Sequence, residues 1–210
     1  MTTLLFVHGW GFDAGFWQKV IARLPNHTAQ PLDLGFYGRP LAPEAERPLV
    51  IGHSMGFAWA LANLPRPWAG AVAINAFPRF TAAAGFPAGI GPAKLARMRA
   101  QFARDPAATT VGFLADMGFS GADIAALAPQ PLGAALAWLA ECDQREAMAA
   151  LGCPLLALAG GRDPLVSEAM SRDGFAGHAL DILPEGDHLL PFGHPDWVAG
   201  RIATFAAGLT

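Results

Sequence analysis

This chain is short of charge, of cysteine and of long apolar runs. Only 15% of its 210 residues are charged and the formal net charge is -3, which excludes a globally basic nucleic-acid-binding protein. Its two cysteines, Cys142 and Cys153, have no CxxC spacing, so we expect neither a disulfide framework nor a cysteine-rich zinc site. No run approaches the roughly eighteen apolar residues that cross a bilayer. The hydrophobic 53% of the chain therefore predicts one substantial core.

The N-terminal stretch has no basic region ahead of its apolar residues. Leu4-Leu5-Phe6-Val7 is followed at once by the polar pair His8-Gly9, which argues against a signal peptide. We therefore expect a cytoplasmic protein with no membrane partner.

Strand and helix patterns alternate in the first and last parts of the chain. The predicted strands are residues 4–7, 28–34, 49–51, 71–75, 154–159 and 179–183. Alternation at this spacing indicates βαβ units, and hence an α/β fold with a mostly parallel sheet of about six strands flanked by helices. A last helix is predicted from about Pro195 to Ala207, because proline suits the first turn.

Between Phe77 and Ala150 the alternation stops and the pattern is helical throughout. The predicted helices are residues 92–104, 108–117, 122–127 and 133–151. We predict a helical lid inserted into the core, so that residues 1–76 and 151–210 form the two parts of the core and residues 77–150 form the lid.

The sequence Gly52-His53-Ser54-Met55-Gly56 stands between a predicted strand and a predicted helix. A serine at the apex of so sharp a turn has a strained backbone, and side chains two positions before or after it would collide. The GxSxG pattern in this context predicts a nucleophilic Ser54. None of the other three serines has glycine at both flanking positions.

A serine hydroxyl needs a base, and the base needs an orienting acid. His188 follows the last predicted strand, at the edge of the sheet where ligands bind in open α/β folds. His194 is the alternative base, although it suits a cap of the last helix better. Asp163 follows the preceding strand, and Asp187 is a weaker alternative because neighbours in sequence rarely face each other. The order Ser54, Asp163, His188 is that of a known class of serine hydrolases.

The turn His8-Gly9-Trp10-Gly11 follows the first predicted strand. The backbone amides of Trp10 and Met55 are predicted to converge on the oxygen that becomes negative during acyl transfer. We expect His8 to brace this turn and His53, next to the nucleophile in sequence, to point away from it. A complete serine site of this kind implies no metal and no organic cofactor.

These motifs resemble the α/β-hydrolase superfamily over essentially the whole chain. They are, in order, FVHGWG at residues 6–11, DLGFYG at 33–38, GHSMG at 52–56, GGRD at 160–163 and GDH at 186–188. The HGWG turn and the segment VGFLADMG at 111–118 are also similar to the biotin-pathway esterases that cleave pimeloyl-[acyl-carrier protein] methyl ester. The resemblance implies a serine carboxylesterase in which Trp10 and Met55 form the oxyanion hole and Phe113 lines the acyl channel. Trp10 and Leu189 are further candidate substrate contacts.

The same residues fit other functions. A general short-chain esterase has this triad, and carbon–carbon hydrolases and lyases share it. A non-catalytic homologue would instead close its lid over a small apolar ligand. A haloalkane dehalogenase is disfavoured, because its nucleophile would be a carboxylate in place of Ser54.

Basic residues gather in the first part of the predicted lid. Residues 77–105 contain five basic side chains and one acidic, whereas the rest of the chain has an acidic excess. The basic residues are Arg79, Lys94, Arg97, Arg99 and Arg104. Of these, Lys94, Arg97 and Arg104 share a helix face and would attract an acidic partner such as an acyl-carrier protein. A solvated helix face is the alternative explanation.

Overall fold

A six-stranded parallel sheet is the scaffold of the protein. The computed structural model describes residues 2–209, and its sheet has the strand order β2-β1-β3-β4-β5-β6. Every neighbouring pair of strands is parallel, which confirms the predicted α/β architecture. The strands are β1 Leu4–Val7, β2 Ala29–Leu32, β3 Leu49–His53, β4 Gly70–Ile74, β5 Leu155–Gly160 and β6 Ala179–Leu183.

Helices cover both faces of the sheet. They are α1 Gln18–Ile21, α2 Met55–Asn63, α3 Pro92–Arg104, α4 Pro106–Asp116, α5 Pro129–Glu141, α6 Arg145–Ala149, α7 Glu168–Gly174, α8 Leu190–Gly193 and α9 Pro195–Ala207. Leu4 and Phe6 of β1 pack in one core cluster with α1 and α9, and Leu5 and Val7 pack in a second cluster with α2. Successive strand residues thus face opposite layers, and the strands are apolar throughout because both faces are covered.

Residues 77–150, here called the helical segment, connect β4 to β5 and contain α3 to α6. The helices α3, α4 and α5 contact one another. Each of these three begins with proline, whose missing N–H would have no partner in the first turn. Their apolar faces are buried through Leu95, Phe102, Leu114 and Leu132.

The prediction that the helical segment is helical throughout is wrong for residues 77–91. This stretch is an irregular loop with isolated bridges, among them Thr81 to Ile90. Two prolines and three glycines in it interrupt any helix. A Cβ on Gly89 would come 2.6 Å from the nitrogen of Ala82, so the loop closes tightly only with glycine there.

The single helix predicted at 133–151 is wrong as well, because α5 and α6 are separate. Between them Asp143 forms ion pairs with Arg79 and Arg145, each at 2.6 Å, and the amide of Gln144 donates to the carbonyl of Pro78. These contacts with the 77–91 loop replace the continuing helical hydrogen bonds. The helix predicted at 122–127 is only a 3-10 turn, Ile124–Ala126.

Two short helices have no counterpart among the predictions. The helix α7 follows Ser167, whose Oγ accepts a hydrogen bond from the amide of Met170 at 3.2 Å; this capping serine was a signal available in the sequence. The single-turn helix α8 leads into α9. The predicted last helix is confirmed as α9. His194 precedes α9, but within residues 2–209 its side chain makes no capping hydrogen bond.

Candidate active site

The predicted site residues lie at the carboxyl ends of the parallel strands. Ser54 directly follows β3, Asp163 follows β5 and His188 follows β6. In a parallel sheet these ends share one edge, so residues from distant parts of the chain meet there. We call this edge, with the residues that follow each strand, the triad edge.

Ser54 stands at a tight turn from β3 into α2. Its φ of 53° and ψ of -127° are unfavourable for a residue with a side chain. A Cβ at Gly52 would collide with the backbone of Phe57, and a Cβ at Gly56 with the carbonyl oxygen of His8. The turn therefore closes only with glycine at both positions, as the motif predicts.

Two hydrogen bonds join Ser54, His188 and Asp163. His188 Nε2 is 3.2 Å from Ser54 Oγ, and His188 Nδ1 is 2.7 Å from Asp163 Oδ2. All three residues are buried, with 6%, 1% and 8% of their surface exposed. Because the carboxylate accepts a hydrogen bond from Nδ1–H, Nε2 is left as an acceptor for the hydroxyl proton of the serine.

The Asp163 carboxylate has three further donors. Its Oδ1 accepts from the amides of Leu165 and Val166, both at 2.8 Å, and its Oδ2 also accepts from Asn75 Nδ2 at 2.7 Å. Only an ionised carboxylate accepts at every one of these positions. Asn75 is absent from the predicted site; its place as the polar last residue of the apolar strand predicted at 71–75 was the signal that could have found it.

The alternative acid and the first histidine have other partners. Asp187 Oδ1 accepts from the amide of Leu189 at 2.8 Å rather than from a histidine. His8 Nε2 accepts from the amide of Leu34 at 3.0 Å, and its Nδ1 is 2.9 Å from the carbonyl oxygen of Gly9. His8 therefore braces the turn after β1, as predicted.

The turn after β1 lies directly against Ser54. A Cβ on Gly9 would come 3.1 Å from Ser54 Cβ, so only glycine allows this approach. Trp10 and Met55 are buried, and neither backbone amide has an acceptor among residues 2–209. A buried amide without an acceptor is available to bind a developing negative charge.

His53 lies beside the base, and among residues 2–209 its side chain makes no hydrogen bond to Ser54; that it points away from the nucleophile stays a prediction. The loop that carries His188 folds back over the end of β3, so that His53 Nε2 is 2.9 Å from the carbonyl oxygen of His188. The centroids of the two rings are 4.9 Å apart. Complete burial, together with the nearby His188, holds the pKa of His53 well below its usual range. His53 is therefore neutral.

The predicted substrate contacts lie where the helical segment meets the core. The indole N–H of Trp10 donates to the carbonyl of Leu132 in α5 at 2.9 Å. Its ring packs edge-on against Phe113 and Phe102, with centroids 5.1 and 5.9 Å away. The Trp10 indole is thus largely occupied by protein contacts. Leu189 is buried directly after the histidine.

A cleft of about 610 Å³ lies between α3 and α4; we call it the α3–α4 cleft. Its walls include the apolar Phe113 and Leu165 and three of the predicted basic residues, Lys94, Arg97 and Arg104. Within residues 2–209 these three cations form no ion pair. Asp105 and Asp116 line the same cleft, so its walls carry an excess of one positive charge.

The other two predicted basic residues lie elsewhere. Arg79 is paired with Asp143 and donates to the carbonyl of Thr81 at 2.9 Å, so it stabilises the 77–91 loop. Arg99 is exposed on α3 but is not part of the wall of the cleft. The structure thus brings three of the five predicted basic residues together in the α3–α4 cleft.

Among the described residues, the structure offers neither a metal-binding cluster nor a membrane-spanning helix. In the part of the chain from 2 to 209, no cluster of three or more histidine, cysteine or acidic side chains could hold a metal ion. Across the same residues, no helix combines the length and apolarity needed to span a bilayer.

The fold and the buried serine site define a class of protein. A sequence profile of the alpha/beta hydrolase family matches residues 4–201, and the chain belongs to that family. An esterase from Exiguobacterium antarcticum has the same fold, with a TM-score of 0.82, 16% identity, and coverage of 98% of this chain and 91% of the other.

Curated relatives of this chain are named pimeloyl-[acyl-carrier protein] methyl ester esterases. A pimeloyl-[acyl-carrier protein] methyl ester esterase from Stenotrophomonas maltophilia is 31% identical over 244 residues, which cover 99% of this chain and 93% of the relative. Another, from Pectobacterium carotovorum, is 29% identical over 241 residues, with 98% and 94% coverage. The chain is therefore similar to these esterases from end to end.

Proposed function

We propose that the protein is a serine carboxylesterase that forms an acyl-enzyme on Ser54. The 3.2 Å contact between His188 Nε2 and Ser54 Oγ carries this proposal, because a hydroxyl is a competent nucleophile only when a base takes its proton. Asp163, 2.7 Å from His188 Nδ1, holds the ring in the tautomer that leaves Nε2 free to accept that proton.

Acylation proceeds in two proton transfers through His188. As Ser54 Oγ bonds to the ester carbonyl carbon, its proton moves to Nε2 and the carbonyl π electrons move onto the oxygen. When the tetrahedral intermediate collapses, the bond from carbon to the alkoxy oxygen breaks and Nε2 returns the proton to the departing alcohol. Asp163 stays ionised and stabilises the transient imidazolium.

Deacylation repeats these steps with water as the nucleophile. His188 Nε2 takes a proton from the water as its oxygen bonds to the acyl carbon, and then returns a proton to Ser54 Oγ as the carboxylic acid leaves. In both halves the amides of Trp10 and Met55 donate to the oxyanion. One such donor accelerates acyl transfer by about a hundredfold or more.

For the substrate we propose a pimeloyl methyl ester carried by an acyl-carrier protein. This is the substrate that the names of the curated relatives state. The α3–α4 cleft supports it, because Phe113 supplies an apolar wall while Lys94, Arg97 and Arg104 supply positive charge beside it. Such charge attracts and orients an acidic carrier protein, whereas an uncharged short-chain ester has no use for it. Leu189, beside the base, borders the proposed acyl site.

Labelling with a fluorophosphonate tests the chemistry. We expect one equivalent to attach to Ser54, and a burst of about one p-nitrophenol per chain from p-nitrophenyl acetate. Ser54→Ala loses both, whereas the control Ser120→Ala keeps them. Wild-type turnover by Ser54→Ala would show that the mechanism is wrong. A wild-type chain with neither label nor burst would favour a non-catalytic ligand-binding homologue.

Growth rescue tests the substrate. A biotin auxotroph that lacks its own pimeloyl-carrier methyl esterase should grow without biotin when it expresses this chain, and should not grow when it expresses Ser54→Ala at the same level. Failure of an active, labelled enzyme to support growth would point to another ester.

A further inference from the structure

Two buried polar side chains of the triad edge have no part in the proton transfers. His53 ends β3 and Asn75 directly follows β4, and both are fully buried. Burying a polar group is unfavourable unless it is hydrogen-bonded. What these two side chains bond to therefore indicates what they do.

Both side chains donate to the loop that carries His188. His53 Nε2 is 2.9 Å from the carbonyl oxygen of His188, and Asn75 Nδ2 is 3.2 Å from the carbonyl oxygen of Asp187. These carbonyls are consecutive in the chain. Two strands of the sheet thus bond, through side chains, to two successive peptide units of the same loop.

Asn75 makes a second bond that involves the acid. Its Nδ2 also lies 2.7 Å from Asp163 Oδ2, the oxygen that accepts a hydrogen bond from His188 Nδ1–H. The two protons of one amide nitrogen therefore fix both the Asp163 carboxylate and the backbone next to His188. An aspartate at this position could donate neither bond.

We propose that His53 and Asn75 are positioning residues that hold the histidine loop, and with it the His188 ring, at the distance that proton transfer from Ser54 requires. The proposal rests on the proposed function, since it concerns the placement of the base in that mechanism. The bonds join residues 135 and 112 positions apart, so they tie the last strand-to-helix loop to the centre of the sheet.

The surroundings of His53 leave it one tautomer. Its Nδ1 is buried and has no partner among the described residues, and a Cβ on Gly9 would come 2.9 Å from that nitrogen. The single proton of the neutral ring is therefore on Nε2, where it bonds to the carbonyl of His188. The pKa of His53 lies well below its usual range, so the ring stays neutral at neutral pH and Nδ1 carries no proton.

The backbone also suits asparagine at position 75. Its φ of 45° lies in the left-handed region, which asparagine, aspartate and glycine tolerate better than other residues. Asn75→Gly therefore removes the amide without straining the backbone.

Three variants test the proposal through kcat, KM and the pH profile. We expect His53→Phe to lower kcat for p-nitrophenyl acetate about 10- to 100-fold with KM within about twofold, because a small displacement of the base costs on this scale. His53→Gln, whose amide places an N–H near the lost Nε2, should recover activity to within about fivefold of wild type.

Asn75→Gly should also shift the acid limb of the kcat/KM profile to higher pH. Asp163 would lose a donor and pair more strongly with the imidazolium, which favours protonated His188. The titratable groups that face the His188 ring are Asp163 after β5 and His53 at the end of β3, with His8 acting on His53 from the turn after β1. His53→Phe leaves Asp163 unchanged and should not move this limb.

A matched packing variant separates positioning from stability. Phe175→Leu removes buried volume in the cluster on the α2 face and should lower the melting temperature without changing kcat or the pH profile. The rate of fluorophosphonate labelling should follow kcat in all variants, with one label per chain at completion.

Failure of the positioning role can be distinguished from failure of the proposed function. Wild-type labelling rates and pH profiles in both His53→Phe and Asn75→Gly would overturn the positioning role while the proposed function stands. No labelling of wild-type Ser54 would overturn the proposed function itself.

Discussion

The triad edge and the α3–α4 cleft differ in how their polar groups are satisfied. At the edge, the Asp163 carboxylate accepts four hydrogen bonds and His188 bonds through both ring nitrogens. In the cleft, Lys94, Arg97 and Arg104 form no ion pair within residues 2–209. The triad is thus satisfied by the protein alone, whereas the three cations of the cleft have no ion-pair partner among the described residues. Under the proposed function, chemistry and recognition lie in separate parts of the molecule.

Replacing Asp163, the proposed orienting acid, should cause the largest loss of activity at the triad edge. Asp163→Asn keeps the shape of the side chain, but its amide can turn toward His188 and stabilise the wrong tautomer. We expect kcat to fall about 10⁴-fold with little change in KM. Steady-state kinetics with p-nitrophenyl acetate measure this.

Asp187→Asn is the control for that variant, because its side-chain oxygen can still accept from the amide of Leu189. It should lose less than about tenfold in kcat. Equal losses in the two variants would mean that Asp163 is not the orienting acid.

Reversing the charge of basic residues in the α3–α4 cleft should impair activity on a carrier-bound ester without affecting the chemistry at the triad edge. In Arg97→Glu/Arg104→Glu we expect kcat/KM for a carrier-bound ester to fall about 10- to 100-fold at low salt, with the free p-nitrophenyl ester unchanged within about twofold. The loss should shrink as salt screens the charges.

Arg99→Glu is the matched control, because it changes the same charge on the same helix outside the cleft wall. We expect a smaller loss on the carrier-bound ester. If Arg99→Glu matched the double variant, or if both substrates suffered equally, the cleft would have no special role in recognition.

Replacing glycine by alanine should destabilise the protein at the triad edge and stabilise it at the α3–α4 cleft. A Cβ at Gly56 would meet the carbonyl oxygen of His8, whereas no described atom lies within 4 Å of a Cβ at Gly112 in α4. Gly56→Ala should lower the free energy of unfolding by about 1–3 kcal/mol or more, and Gly112→Ala should raise it by about 0.5–1 kcal/mol. Urea unfolding measures both; destabilisation of similar size would contradict the difference in packing.

The triad edge was predictable because its constraints are local. A serine between two glycines at a strand end, and polar residues after later strands, follow from the turn and from the parallel sheet. The loop at 77–91 and the break between α5 and α6 were not predictable from the sequence. Both depend on the pairing of Asp143 with Arg79, which is 64 positions away.

The roles of His53 and Asn75 also depend on distant partners. His53 occupies a variable position of the GxSxG motif and Asn75 belongs to no catalytic pattern, and their bonds reach residues 135 and 112 positions along the chain. A pattern of residue types carries no information about which buried carbonyl a side chain will meet. The basic stripe shows the same limit, because helical spacing grouped Lys94, Arg97 and Arg104 but could not reveal that Arg79 is already paired.

Acid should weaken the triad edge in a way that it does not weaken the cleft. Asp33, after β2, accepts from the amides of Ala14 and Gly35 at 3.0 and 2.8 Å, and His8 Nε2 is 3.7 Å from it. Burial would raise the pKa of this carboxyl, but its hydrogen bonds outweigh burial and lower it from 3.8 to about 2. A lowered folded-state pKa means that ionised Asp33 stabilises the fold above about pH 4, and that this stabilisation is lost as pH falls toward 2.

Asp33→Asn should therefore lower the free energy of unfolding by about 1 kcal/mol at pH 7, and its difference from wild type should close between about pH 5 and pH 2. Urea unfolding at several pH values measures the difference. Asp116→Asn, in the wall of the α3–α4 cleft, should stay within about 0.5 kcal/mol of wild type throughout. A difference for Asp33→Asn that stayed constant down to pH 2 would mean that its ionised form is no better satisfied than an exposed carboxylate of the cleft.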